Sequence, residues 1–172
     1  SLLDSNNFAT LRTISKEACF MYLFSNVLAD GVNISDIITD ASQMVLPATT
    51  LKARCYASMF DMSLNPSSKL EKAPEILPAM TLEEGCYEGM FNGCTGLITS
   101  PKLPATTLVN SCYHSMFNGC SSLNISENSG DYSFFTCPSI TGLTQPVDSM
   151  FTDTKEFTND PTPDNTYYYN YN

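Results

Sequence analysis

Apolar residues recur along this chain in a fixed order, and the order itself repeats. From Leu77 the sequence reads LPAMTLEEGCYEGMFNGCTGL, and from Leu103 it reads LPATTLVNSCYHSMFNGCSSL. Leucine, cysteine, tyrosine, methionine and phenylalanine hold the same places in both copies, and Cys86 to Cys112 is 26 residues. Tandem repetition with a period of ~20–50 residues points to a solenoid, in which each unit covers the apolar face of the next. Within the unit, Leu82, Cys86 and Met90 stand at i, i+4 and i+8 with Phe91 alongside. That spacing predicts an apolar stripe on a short helix. Thr81 followed by Glu84 fits a capping box at its start, and Gly93 suits the left-handed residue that ends it. Such a helix has about ten residues and is roughly 15 Å long, too short to persist without a neighbour. Leu97–Ser100 follows, β-prone and closed by Pro101, and reads as a short strand. Stacked units would pair these strands in parallel, about 4.8 Å apart.

The same order can be traced outward from the two best copies. Leu46–Leu51 and Cys55–Phe60 give an earlier unit, with Cys55 to Cys86 spanning 31 residues. The extra residues fall mainly between Phe60 and Leu70, where Asn65-Pro66-Ser67-Ser68 has loop composition. Phe8, Leu11 and Ile14, then Cys19–Phe24, read as a degenerate first unit, because a terminal repeat must also cap the stack. Val32, Ile34, Ile37 and Ile38 lie in the connection that follows, and some of them are expected in its strand. Met150-Phe151, Phe157 and Pro161 keep the spacing of a last unit, with Thr154 where others have cysteine. Between these, Asn124–Ile140 interrupts the repeat with a polar turn and the aromatics Tyr132, Phe134 and Phe135. The tail, Tyr167–Asn172, is aromatic and uncharged, suited to an added edge strand or a contact surface. The expected architecture is one α/β domain over 1–172. It has about five irregular coils, near 8–45, 46–76, 77–102, 103–142 and 143–161, with a tail at 162–172.

Charge narrows the partners. The formal net charge is −10 with only 8 Lys+Arg. Nucleic acid and anionic membranes are therefore poor partners. No apolar run approaches the ~20 residues that span a bilayer. The chain opens at Ser1 with no signal-peptide pattern, which reads as a mature segment or a fragment.

Candidate chemistry is sparse. Seven cysteines leave at least one unable to pair within the chain. Cys86 and Cys112 fall on the apolar stripe, and Cys94 and Cys120 follow the glycine. Small buried core thiols are the leading reading, with a disulfide ladder or a metal site as alternatives. His114, the only histidine, sits off the stripe and is expected as an exposed residue rather than the partner of a nucleophilic thiolate. Glu83, Glu84 and Glu88 read as a solvated face; Asp36, Asp40 and Asp131 lack EF-hand spacing. No catalytic residue, metal ligand or cofactor is assigned, and the chain is read as not an enzyme. Alternation from Leu70, Leu97, Leu123 and Phe157 instead points Glu71, Ala73, Ile98, Ser100, Asn124, Ser126, Thr158 and Asp160 outward. These eight are the candidate ligand-binding face of the stacked strands.

LPATTL, CYxxMF and NGCxxL, present as Leu103–Leu108, Cys112–Phe117 and Asn118–Leu123, resemble the BspA-like leucine-rich repeats of bacterial surface proteins. The resemblance covers roughly residues 46–123 well, and 8–24 and 143–161 weakly. It implies a right-handed leucine-rich-repeat solenoid with a short helix and a short parallel strand in each coil. It also implies a secreted or surface-anchored protein that adheres to host proteins or glycans, with no catalytic residue carried over. Similar repeats occur in phage proteins, so the alternative is a structural spacer or assembly domain, possibly of a virion, oligomerising through the tyrosine-rich tail.

Overall fold

A computed structural model describes residues 11–25, 37–64 and 68–171. Among the described residues there is no helix, and the three strands form one antiparallel sheet. The expected α/β class, the helix-plus-parallel-strand coil and with them the leucine-rich-repeat solenoid are therefore corrected. The expectations for Phe8, Val32 and Ile34 lie outside the described residues.

Where a helix was expected, the chain forms a run of overlapping turns. In the 83–94 segment the N–H groups alternate between two kinds of partner. Cys86, Glu88, Met90, Asn92 and Cys94 donate three residues back within the segment. Gly85, Tyr87, Gly89, Phe91 and Gly93 donate across to Asn110, Cys112, His114, Met116 and Asn118 of the next repeat, at 2.7–3.1 Å. An α-helix would instead send its N–H groups to the residue four back. Every fourth residue is left-handed: Gly85, Gly89 and Gly93 have φ of 61°, 58° and 73°. The same column holds Arg54 and Ser58, Ser111, Ser115 and Gly119, and Gln145, Ser149 and Asp153. Gly89 is the third residue of the turn closed by Met90 N–H on the Tyr87 carbonyl (3.2 Å), where a type II turn needs positive φ. A left-handed residue at this interval cannot belong to a right-handed helix.

The run of turns still buries the apolar stripe. Cys86, Tyr87, Met90, Phe91 and Cys94 are all buried, as are Cys55, Tyr56, Met59 and Phe60, and Cys112, Tyr113, Met116, Phe117 and Cys120. Side chains one repeat apart stack directly. Phe20, Tyr56, Tyr87 and Tyr113 form one column with ring centroids 5.4, 5.7 and 5.9 Å apart. Phe24, Phe60, Phe91, Phe117 and Phe151 form a second, at 5.3, 5.4, 5.6 and 6.2 Å. Leu51, Leu82 and Leu108 line the core beside them. The return leg of each repeat is extended but too short to count as a strand. Leu97–Ser100 makes none, and the legs meet at isolated parallel bridges such as Thr50–Thr81 and Ile76–Lys102.

The regular sheet lies in the interruption and the tail. Its strands are β1 (Ile125–Glu127), β2 (Tyr132–Thr136) and β3 (Thr166–Tyr169), in the order β1-β3-β2. The tail is thus the central strand rather than an edge. Ser126 faces Tyr168 on one side and Ser133 faces it on the other, with an irregularity between Ser133 and Phe135. Tyr167 is fully buried against Phe135, Phe151 and Phe157. Its hydroxyl donates to Glu127 Oε1 (3.2 Å) and accepts from Thr162 N–H (2.9 Å). No helix among the described residues is long and apolar enough to cross a membrane.

Candidate functional site: a trough roofed by the tail

The thiols are core groups. All seven cysteines are free, and all but Cys19 are buried. Cys94 Sγ donates to the Phe60 carbonyl and Cys120 Sγ to the Phe91 carbonyl, each at 3.1 Å, so these thiols tie one repeat to the one before. Burial pushes Cys55 up to about 12, and Cys112 and Cys137 up to about 11. A thiol held protonated is a poor nucleophile and a poor metal ligand. Among the described residues no three His, Cys, Asp or Glu groups come close enough to hold a metal ion. Of the three carboxylates expected on a solvated face, Glu84 is exposed, while Glu83 and Glu88 are half-buried and bridge repeats. Glu83 pairs with Lys52 of the preceding repeat, and Glu88 Oε1 lies 3.6 Å from His114 Nδ1 of the next.

The eight residues of the candidate binding face separate. Glu71, Thr158 and Asp160 are exposed, Ile98 and Ser126 are half-buried, and Ala73, Ser100 and Asn124 are buried. Asp160 is occupied, its Oδ1 accepting the Ser149 N–H at 2.6 Å. Ser126 belongs to β1, where its hydroxyl accepts from Asn170 Nδ2 at 3.0 Å. Ala73, Ile98, Ser100 and Asn124 do share a surface, but the tail lies over it. Ala73 and Ser100 line a cleft of about 250 Å³ together with Tyr169 and Tyr171. Ile98 and Asn124 line a second, of about 270 Å³, together with Asn170 and Tyr171. Tyr171 lines both, so this tyrosine is the shared wall of a two-cleft trough.

Three tyrosines crown this trough. Tyr132 stacks on Tyr169 with centroids 5.2 Å apart, and Tyr171 meets both edge-on at 5.1 and 5.8 Å. Tyr132 and Tyr171 are 49% and 51% exposed despite this mutual packing. Burial, then the neighbouring Tyr171, pushes the Tyr169 hydroxyl up to about 12. The tail is clamped where the cluster needs it. Tyr171 N–H donates to Asp131 Oδ2 (3.0 Å), Asp131 N–H to Asn170 Oδ1 (2.9 Å) and Asn170 N–H to the Asn124 carbonyl (3.0 Å). Sequence reasoning missed the tyrosines as part of the face. Their signal was the run of β-prone tyrosines without charge, but nothing in one sequence says which strands such a run joins.

The chain matches no protein-family model, no curated protein and no solved structure.

Proposed function

We propose that this chain is a non-enzymatic recognition or adhesion module of an extracellular or cell-surface protein, binding host protein or glycan through the trough. The observation that carries this reading is the pair of clefts that share Tyr171 on the one line where successive repeats and the tail converge. Ligand sites favour such concave places with a few convergent polar groups. The resemblance of LPATTL, CYxxMF and NGCxxL to BspA-like surface proteins supports the same class of role. A binding rather than catalytic role is supported by the lining itself. Among the described residues Glu75 is the only carboxylate lining the two clefts, whereas glycosidic chemistry uses a pair about 5–9.5 Å apart.

The competing role is a spacer or assembly domain, of a phage particle for instance. Assembly through the tail has less support, because Tyr167 is spent inside the chain's own core. The deciding measurement is binding of the purified, folded chain to immobilised extracellular-matrix proteins and to a broad glycan array. Saturable binding to one class is expected. Silence across the whole array would leave the spacer role standing and sink the recognition role.

A further inference from the structure

We propose that the trough is a subsite pair for a linear, neutral oligosaccharide that straddles Tyr171. This rests on the recognition role and names its ligand class. Size comes first: neither cleft, at about 250 and 270 Å³, reaches the ~300 Å³ lower end of sites that enclose a drug-sized ligand. One cleft therefore suits one small ring, and a ligand using both must cross the tyrosine between them. Such a ligand needs at least two linked units and a narrow joint.

Chemistry comes second. Exposed tyrosine faces suit a flat, weakly apolar surface, and the phenol edges suit hydroxyls. The walls add Ser121, Ser122 and Asn170 on one side and Ser42 on the other, hydroxyls and an amide that can each donate and accept. A pyranose offers that combination, with C–H faces and a ring of hydroxyls. Charge is the third constraint. The chain carries −10; Lys72 of one cleft is paired with Asp40 at 3.2 Å and shares its lining with Glu75, and Lys155 on the wall of the other cleft is a single cation. A polyanionic glycan or an acidic peptide would meet net repulsion from the chain as a whole, whereas the Lys155 ammonium can donate to the hydroxyls of a neutral sugar. An extended peptide also lacks a ladder to join here. On the cleft walls the Ala73 N–H already bonds Thr99 Oγ1 at 3.0 Å and the Ile98 N–H the Glu71 carbonyl at 2.8 Å. What the trough leaves free is side-chain chemistry.

The test is titration calorimetry of the intact chain with linear neutral oligosaccharides of glucose, galactose, mannose and N-acetylglucosamine. Monomers, dimers and longer chains are compared, with sulfated and sialylated glycans alongside. Binding is expected for at least one neutral series, tighter for dimers than for monomers. Tyr171→Ala should weaken it about tenfold and Tyr171→Phe much less, because the ring face rather than the hydroxyl carries the stacking. Tyr171 sits at the exposed end of the tail, and the near-ultraviolet dichroism of each variant reports whether the fold is kept. Neutral binding that ignores Tyr171→Ala moves the ligand elsewhere and overturns the site. Binding restricted to anionic glycans or to proteins overturns the ligand class while the recognition role stands. No binding to any sugar or matrix protein overturns both.

Discussion

At the scale of single residues, the left-handed column decides which substitutions the chain tolerates. A Cβ at Gly93 would lie 2.5 Å from the Ser63 backbone, while one at Gly119 would lie 3.4 Å from Gly93. Both glycines have φ above 70°. Gly119→Ala should therefore cost only the left-handed penalty, about 1 kcal/mol. Gly93→Ala should add a steric clash and cost about 2–4 kcal/mol. Urea denaturation of the two variants gives the difference directly, and equal losses would refute the close packing at Gly93. Nearby, the phenol of Tyr87 is buried with no hydrogen-bond partner among the described residues. Tyr87→Phe should raise stability by up to about 1 kcal/mol, since a buried hydroxyl without a partner costs folding energy. The thiols set an alkaline limit. Their native values of about 11 to 12 lie above the ~8.5 of an unfolded cysteine. Their contribution is complete below about pH 8.5 and is lost as pH rises through about 11 to 12. Chemical-denaturation midpoints measured across that window should fall steadily, and a flat profile would contradict the buried thiols.

At the scale of elements, the sequence yielded the buried positions and not the backbone that presents them. Leu82, Cys86 and Met90 are inside, as their spacing requires, yet the spacing belongs to turns. A period of four mimics a helix over two steps, but each step of four drifts about 40° on a true helix. Cys94 is as buried as Cys86, and a helix would have turned it well off the stripe by then. The glycines at 85, 89 and 93 carried the other half of that signal. Three of them in one short helix would cost about 1 kcal/mol each, whereas in left-handed turn positions they fit without strain. The tail was harder to read, because its partners lie about 40 residues away. Its anchor is Tyr167, and Tyr167→Ala should cost about 3–5 kcal/mol, as for other buried aromatics. Amide exchange should then speed up across β1, β2 and β3 together while the 83–94 turns keep their protection. Uniform loss of protection would mean that the sheet and the turns fold as one unit.

At the scale of the whole molecule, each repeat is finished only by its neighbours. Alternate N–H groups of one turn run are satisfied by the next, and so are the faces of its aromatic rings. What the repeats do not share is cationic charge. With −10 overall, self-repulsion opposes compaction, and moderate sodium chloride should raise the melting temperature. A decrease would imply that inter-repeat ion pairs such as Lys52–Glu83 outweigh that repulsion. The aromatic columns have a consequence of another kind. The chain has no tryptophan and nine tyrosines, and three of those, Tyr56, Tyr87 and Tyr113, lie in one column with planes tilted by only 8° and 17°. Their transition dipoles are held close and in fixed relation, so light absorbed by one ring is shared along the row. The chain therefore carries its own optical gauge of repeat stacking, which dims when the column slips.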